Sequence, residues 1–333
     1  MAGGRADDQR LRQPPGVQPE PRRREAGTVK TLCVTITWLS KVDLSNINSG
    51  EGGGGNVVEL KTYRSGRRPY ASGQSVRHAL REALERGNPG CFKSTPEAPS
   101  GDIKEDWLCD LFGYLSPRRG EGADRRWSPI KCTPALGQCD AEIVTDLLLR
   151  MSDLEKDEGK AARDQRLAYV QLAENVFRTG LSLDVRAIGR RLLVEGDPKT
   201  KQITRRELVS EIDDAERTKR VRAVIRALVQ LGDFAKQARN AVSFAPDLFF
   251  AAVLPVYTQR GLRTMELDAE GNLDLATLET VAADLRELGA RLFVGHTPGV
   301  IKNDRGFLDL CRRMEIPVAS PVQMLMRVAD GVD

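Results

Sequence analysis

The chain has 333 residues, with 51 Lys and Arg against 47 Asp and Glu and a formal net charge of +4. That length holds one large domain with insertions or two modest ones, and so mild a charge does not announce nucleic-acid binding, so any basic surface has to come from clustering. Hydrophobic residues make up 40% of the chain, no apolar run is long enough to cross a bilayer, and the opening MAGGRADDQR has no apolar stretch behind its charges, which argues against a secretory signal.

Residues 1–27 scatter Arg5, Arg10, Arg12 and Arg22 to Arg24 among four prolines. With no apolar face to bury, they are expected to form a disordered tail. From Thr28 the pattern changes: Leu32, Val34, Ile36 and Trp38 alternate with Cys33, Thr35 and Thr37. Period two with β-branched residues predicts a strand with one face buried. A glycine loop (Gly52 to Gly55) follows, then a second strand-like stretch from Asn56 to Arg64 that ends at Arg67-Arg68-Pro69. Ser72-Gly73-Gln74-Ser75 opens a helix whose apolar stripe is Val76, Ala79, Leu80, Ala83 and Leu84, and Gly87 closes it. Arg77 and Arg81 lie four apart, off that stripe.

Residues 88–128 lack periodicity apart from an island at Asp106 to Leu115 and read as an insertion or functional loop. Ser128 to Pro134 predicts a short strand re-entering the core. Residues 138–175 have apolar ends and a charged middle, the pattern of a two-armed excursion. Thr204-x-x-Glu207 has the form of a capping box and predicts a long helix through Leu208, Ile212, Val221, Ile225 and Leu228 to Gly232. Leu248 to Leu254 predicts a central strand. Asp274 caps a further helix ending at Gly289, a strand follows at Arg291 to Val294, and Ser320-Pro321 begins a last helix. The whole reads as an α+β palm-like domain with appendages.

Catalytic motifs are hard to find. Gly73-Gln74-Ser75-Val76-Arg77 has arginine where a nucleophile elbow needs glycine. The Gly50 to Gly55 loop lacks the Gly-Lys-Ser/Thr ending of a phosphate-binding loop. His78 and His296 are far apart in sequence, and Asp43 reads first as a loop residue. Six cysteines form no C-x-x-C pair, so neither a zinc site nor another cofactor is expected, and unpaired thiols fit a reducing cytoplasm. A small-molecule α/β enzyme with the glycine loop over a pocket stays open, although no acid, base or nucleophile converges on one.

RNA binding has more support. Lys61, Arg64, Arg67 and Arg68 precede the helix carrying Arg77 and Arg81, and Ser72, Gln74 and Ser75 stand at its N-terminus. Free amides and the helix dipole favour an anion there, so hydroxyls, an amide and guanidinium groups share one neighbourhood with them. A capped, solvated helix fits the same spacing. Lys236, Gln237 and Arg239 form a second basic group that also fits an ordinary polar turn. Leu147, Leu148, Leu149 and Met151 read by default as core, with a wedge between bases as the sharper alternative.

Ser72 to Arg81 (SGQSVRHALR) resembles a hallmark of the Cas-seven family, in the repeat-associated RNA-binding superfamily of CRISPR proteins. Ser45 to Asn48 with Arg67 to Tyr70, Asp110 to Gly113 with Ser128 to Lys131, Val176 to Gly180, and Gly232 to Pro246 resemble further blocks in family order, closest to the DevR-type members of type I-B and related systems. The resemblance implies a modified RRM/ferredoxin-like palm (28–87, 129–137 and 176–333), a helical fingers insertion (88–128) and an extended thumb (138–175). It implies a non-catalytic subunit that polymerises along CRISPR RNA in a type I Cascade complex. Its partners would be further copies of itself, Cas-five-type, large and small subunits, and target DNA through the guide. Ser72, Gln74, Ser75, Arg77, Arg81, Lys61, Arg64 and Arg68, with Lys236, Gln237 and Arg239, would hold guide RNA, and Leu147 to Leu149 with Met151 would lie near a displaced base. A superfamily RNA endonuclease using Asp43 is the alternative within the same resemblance.

Overall fold

The computed structural model describes residues 30–49, 57–118, 122–150, 166–197, 199–232 and 241–332. The expected tail over 1–27, the glycine loop over 50–56, and Met151, Lys236, Gln237 and Arg239 lie outside them. In chain order come β1 (Cys33–Ser45), β2 (Val57–Val58), β3 (Thr62–Tyr63), β4 (Arg68–Ala71) and α1 (Gly73–Gly87). The hairpin β5 (Tyr114–Arg118) and β6 (Gly122–Arg126) follows, then β7 (Ile130–Cys132), β8 (Ala135–Gly137), β9 (Val144–Arg150) and β10 (Arg166–Asp184). Next are β11 (Arg190–Gly196), β12 (Ile203–Ser210), α2 (Asp214–Ala227), β13 (Leu248–Leu254) and α3 (Leu275–Glu287). The chain ends with β14 (Arg291–His296), α4 (Asp304–Arg313), β15 (Val318–Ala319) and α5 (Pro321–Asp330). This is a mixed α+β fold.

One large sheet runs β15-β14-β13-β1-β10-β8-β4-β3, with β2, β7 and β9 also paired to β10. β1 is central, antiparallel to both β10 and β13. Val34, Ile36 and Trp38 on one of its faces join Phe249, Ala251 and Val253 under α1, α2 and α5. Cys33 and Leu39 on the other face join Phe250, Ala252 and Leu254 under α3 and α4. The one-sided burial expected for this strand is therefore corrected: Cys33 to Ser40 are buried throughout, because helices cover both faces. Of the two Thr on the second face, Thr37 Oγ1 donates to the Gly261 carbonyl at 3.0 Å, whereas the buried Thr35 Oγ1 has no hydrogen-bond partner among the described residues.

The helix expected from Thr204 begins instead at Asp214, where Asp213 caps by accepting from Glu216 N at 2.7 Å. Residues 203–210 are strand because they pair antiparallel with β11. Thr204 Oγ1 accordingly donates across that hairpin to the Glu195 carbonyl at 3.2 Å rather than capping a helix. Cross-strand hydrogen bonds with the preceding arm of the hairpin override the local capping signal. Of the helical insertion expected over 88–128, the described residues hold one π-helical turn, Leu108–Phe112, and their other regular structure is the β5–β6 hairpin. β10 is one continuous 19-residue strand that passes through position 175.

Asp110, fully buried, fastens this insertion to the rest of the fold. One carboxylate oxygen accepts from Gly189 N at 2.8 Å and from Arg126 Nη2, and the other accepts from Arg220 Nη1 at 2.6 Å. Arg220 also donates to the carbonyls of Ile103 and Lys104 and pairs with Glu216 at 3.0 Å. Burial pulls the Arg126 guanidinium below its ordinary value, and Asp110 opposes that shift. Asp110→Ala leaves two guanidinium groups without their buried carboxylate and is expected to cost about 3–5 kcal/mol. Urea unfolding checks this, and an unchanged midpoint would show that the cluster does not hold the insertion.

Candidate nucleic-acid interface

α1 begins where β4 leaves the sheet, and the Ser72 side chain caps it by accepting from Ser75 N at 3.2 Å. Its first turn contains no acidic residue, unlike that of α2, which holds Asp214 and Glu216. The positive end of the α1 dipole therefore has no carboxylate of its own first turn against it. Gln74 is exposed, and Ser72 and Ser75 are half-buried. Gly73 permits close packing here, since a Cβ on it would sit 3.0 Å from the Cys132 carbonyl oxygen. The entrance of α1 thus abuts the end of β7. The apolar stripe read from the sequence is the buried one: Val76, Ala79, Leu80, Ala83 and Leu84.

Arg77 and Arg81 leave that stripe on the same flank with different surroundings. Arg77 Nη2 donates to the Phe112 carbonyl at 2.7 Å, its Cζ lies 5.9 Å from the Phe112 ring centroid, and its buried Nε has no hydrogen-bond partner among the described residues. Arg81 Nη2 lies 2.8 Å from His78 Nδ1 and 3.4 Å from Glu82 Oε1. In the β3–β4 turn, Arg64 and Ser65 adopt left-handed conformations at φ 50° and 59°, uncommon for residues with side chains. Arg68 Nε donates to Asp140 Oδ1 at 2.8 Å, and Arg67 Nη1 lies 3.2 Å from Asp140 Oδ2. Two of the arginines in this basic run therefore share one carboxylate. Lys61 makes no ion pair among the described residues.

Two clefts flank α1. One, of about 480 Å³, is lined by Arg77, Phe112, Arg126, Trp127, Lys131 and Cys132 among others, and none of its lining residues is acidic. The second, of about 570 Å³, lies between His78, Glu82 and Arg86 on α1 and Gln230, Gly232 and Ala241 to Ser243. The described flanks of the second basic segment thus meet the first helix. Leu147 is 46% exposed and lies opposite Tyr169, itself 41% exposed, so it is not core as its default reading had it. Leu148 and Leu149 share strand β9 with it. Asp43 is exposed, and no group of three or more His, Cys, Asp or Glu is placed to hold a metal among the described residues. His296 is far from His78 in sequence and lies 2.9 Å from Asp304. No helix among the described residues is long and apolar enough to cross a membrane.

Asp140 and Trp127 were not picked out from the sequence, and Phe112 and Lys131 entered only as members of family-like blocks, not as site residues. The run Arg125-Arg126-Trp127 was the one local signal for Trp127, with cations beside an aromatic.

The family model described as "CRISPR-associated negative auto-regulator DevR/Csa2" matches residues 36–259. No curated protein matches the chain. Among solved structures, a chain of a "CRISPR RNA-guided surveillance complex" aligns with TM-score 0.51 and 16% identity, covering 90% of this chain and 100% of its own. A chain of a "CRISPR RNA-guided surveillance complex, pre-nicking" aligns with TM-score 0.53 and 13% identity over the same shares. At these identities the likeness is one of fold.

The hydrogen bond from Arg68 holds the Asp140 carboxyl below its usual range, with Arg67 adding to the effect. A depressed carboxylate contributes stability above its unfolded pKa and loses that contribution as pH falls through its folded value. The gap in thermal midpoint between the native chain and Asp140→Asn is therefore expected to be small but constant near neutral pH, because the pair is exposed, and to close in acid below the ordinary aspartate range. A gap that persists there would show that Asp140 does not titrate with its arginines.

Proposed function

The chain belongs to the DevR/Csa2 family of CRISPR-associated proteins, and from that premise we propose that it is a non-catalytic backbone subunit that grips CRISPR RNA. In this reading it polymerises along the guide in a type I Cascade complex of the cytoplasm, beside Cas-five-type, large and small subunits, and supports recognition of target DNA. The β13-β1-β10 core with α1 and α2 serves as the modified RRM-like palm of the repeat-associated RNA-binding superfamily, and the β9–β10 arms serve as the thumb. The fold likeness to chains of RNA-guided surveillance complexes supports this assignment.

One observation carries it: the acid-free, Ser72-capped entrance of α1, with Gln74 exposed and Arg77 and Arg81 in its first turns. A ribose-phosphate backbone fits those donors whatever its bases. Such a subunit does not need to read sequence, because pairing with the guide does that. Weak sites on successive copies combine along one strand through effective concentration.

The purified chain is expected to carry short RNA that salt releases. Gln74→Glu is nearly isosteric, and a carboxylate in the first turn favours the helix by about 0.3–1 kcal/mol, so it separates folding from binding. Together with Arg81→Glu it should leave the thermal midpoint unchanged or higher while weakening single-stranded RNA binding. Each phosphate that the variant no longer neutralises lowers the slope of log affinity against log salt by about 0.7. Binding and slope equal to those of the native chain would remove α1 from the interface. Metal-dependent RNA cutting that Asp43→Ala abolishes would overturn the non-catalytic reading.

A further inference from the structure

We infer that Trp127 is a stacking platform for a nucleobase of the bound RNA strand, at the mouth of the acid-free cleft beside α1; this rests on the RNA-binding reading above. The chain has three tryptophans. Trp38 and Trp107 are core residues at 1% and 2% exposure, whereas Trp127 is 81% exposed. A single exposed apolar residue needs no explanation by itself, but this one has a specific setting. Arg125 Cζ lies 5.8 Å from its ring centroid, and Trp127 shares its cleft with Arg77, Phe112 and Lys131 and with no carboxylate. Lys131 and Arg125 form no ion pair among the described residues, and Lys131 Nζ lies 5.5 Å from the Tyr257 ring.

The backbone on both sides of Trp127 is also held in place. Its neighbour Arg126 is fixed from both ends of the guanidinium, donating to the carbonyls of Arg190 at 2.6 Å and Ala187 at 2.8 Å and to Asp110. Ser128 on its other side donates to the Leu111 carbonyl at 2.8 Å. Gly113, at φ 72°, closes the gap: any Cβ there would run into the Arg126 carbonyl and Ser128 N. The indole therefore projects from a rigid corner of backbone, and only its two side-chain torsions are left to order on binding.

The position suits one occupant. Cys132 lines this cleft, and its carbonyl is also what Gly73 packs against at the entrance of α1. A strand whose phosphate lies on the α1 amides passes that shared wall, and its base meets an aromatic ring flanked by cations. Every base has a π-face, so such stacking is indifferent to sequence, as a guide-holding subunit requires.

Since the other two tryptophans are buried, emission from the full chain on adding RNA reports chiefly on Trp127. A short oligoadenylate is expected to quench it, and an abasic oligonucleotide of equal length should bind without the quench. Trp127→Ala should weaken oligoadenylate binding roughly 5- to 150-fold, the loss of one base stack, and leave abasic binding as it was, while Trp127→Phe retains most of the affinity. If bound oligoadenylate leaves the emission unchanged, or Trp127→Ala binds it like the native chain, the inference falls and the RNA-binding reading stands. If instead the substitution alters self-association of the RNA-free chain with RNA affinity unchanged, the ring belongs to a contact between copies and the inference falls. Failure of the native chain to bind either oligonucleotide would overturn both readings.

Discussion

Asp110 lies fully buried between the guanidinium groups of Arg126 and Arg220, and the shape of the candidate interface follows from that placement. Three strong donors converge on one carboxylate, which is how a charge is kept in an interior where it would otherwise cost several kcal/mol. Each partner extends the reach of the cluster. Arg220 brings in α2 and the carbonyls of Ile103 and Lys104, and Arg126 brings in the turn before β11. Between them the 108–112 turn is fixed, so the Phe112 carbonyl is in place to receive Arg77 from α1. One wall of the cleft is thus set by an ion cluster that does not itself line most of it. A hydrophobic replacement of similar volume could pack as well, but it would not place Arg126 and Trp127 at the corner they share.

The same cluster shows why counting basic residues says little about partners here. Arg126, Arg217 and Arg220 are largely buried and paired internally, and Arg178 donates to the carbonyls of Leu262 and Thr264. Arg67 and Arg68 share Asp140. A net charge of +4 therefore understates the local field where carboxylates are missing and overstates it where arginines are structural. The acid-free entrance of α1 and the cleft beside it are where those two effects diverge most. Low total charge with one acid-free groove suits a subunit that holds a strand from one side.

Elements whose signal is local were legible in the sequence. The stripe of α1, the apolar run of β13, the Asp274 cap of α3 and the Ser320-Pro321 start of α5 each follow from periodicity or capping within a short window. Thr204 and Glu207 show the limit, because the spacing of a capping box also fits one arm of a hairpin, and pairing with the preceding arm at 190–196 decides between the two. Burial of both faces of β1 was hidden for a related reason: a face of Cys and Thr reads as solvent-facing until α3 and α4 cover it. At the interface, the Ser72 cap and the flank shared by Arg77 and Arg81 were readable. That Arg77 already serves the Phe112 carbonyl was not, since 35 residues separate the two.

In the RNA-gripping reading proposed above, the bond of Arg77 to the Phe112 carbonyl bears on how a strand would be held. A guanidinium tied to a backbone carbonyl through one nitrogen has fewer rotamers to lose when a phosphate approaches, so the entropy of ordering it has already been met in folding. Arg81, held near His78 and Glu82 on a helix surface, is pre-ordered less strongly and has a carboxylate to leave. The two arginines therefore differ in kind although they sit one turn apart. Arg77 suits fixing the position of a strand at the α1 entrance, where the amides and the Ser72 cap are equally rigid. Arg81 suits adding salt-dependent attraction one turn further on. A strand gripped rigidly at one point and loosely at the next would keep a fixed register on each copy while the path between copies stays adjustable, a combination that suits the polymerisation along a guide proposed above.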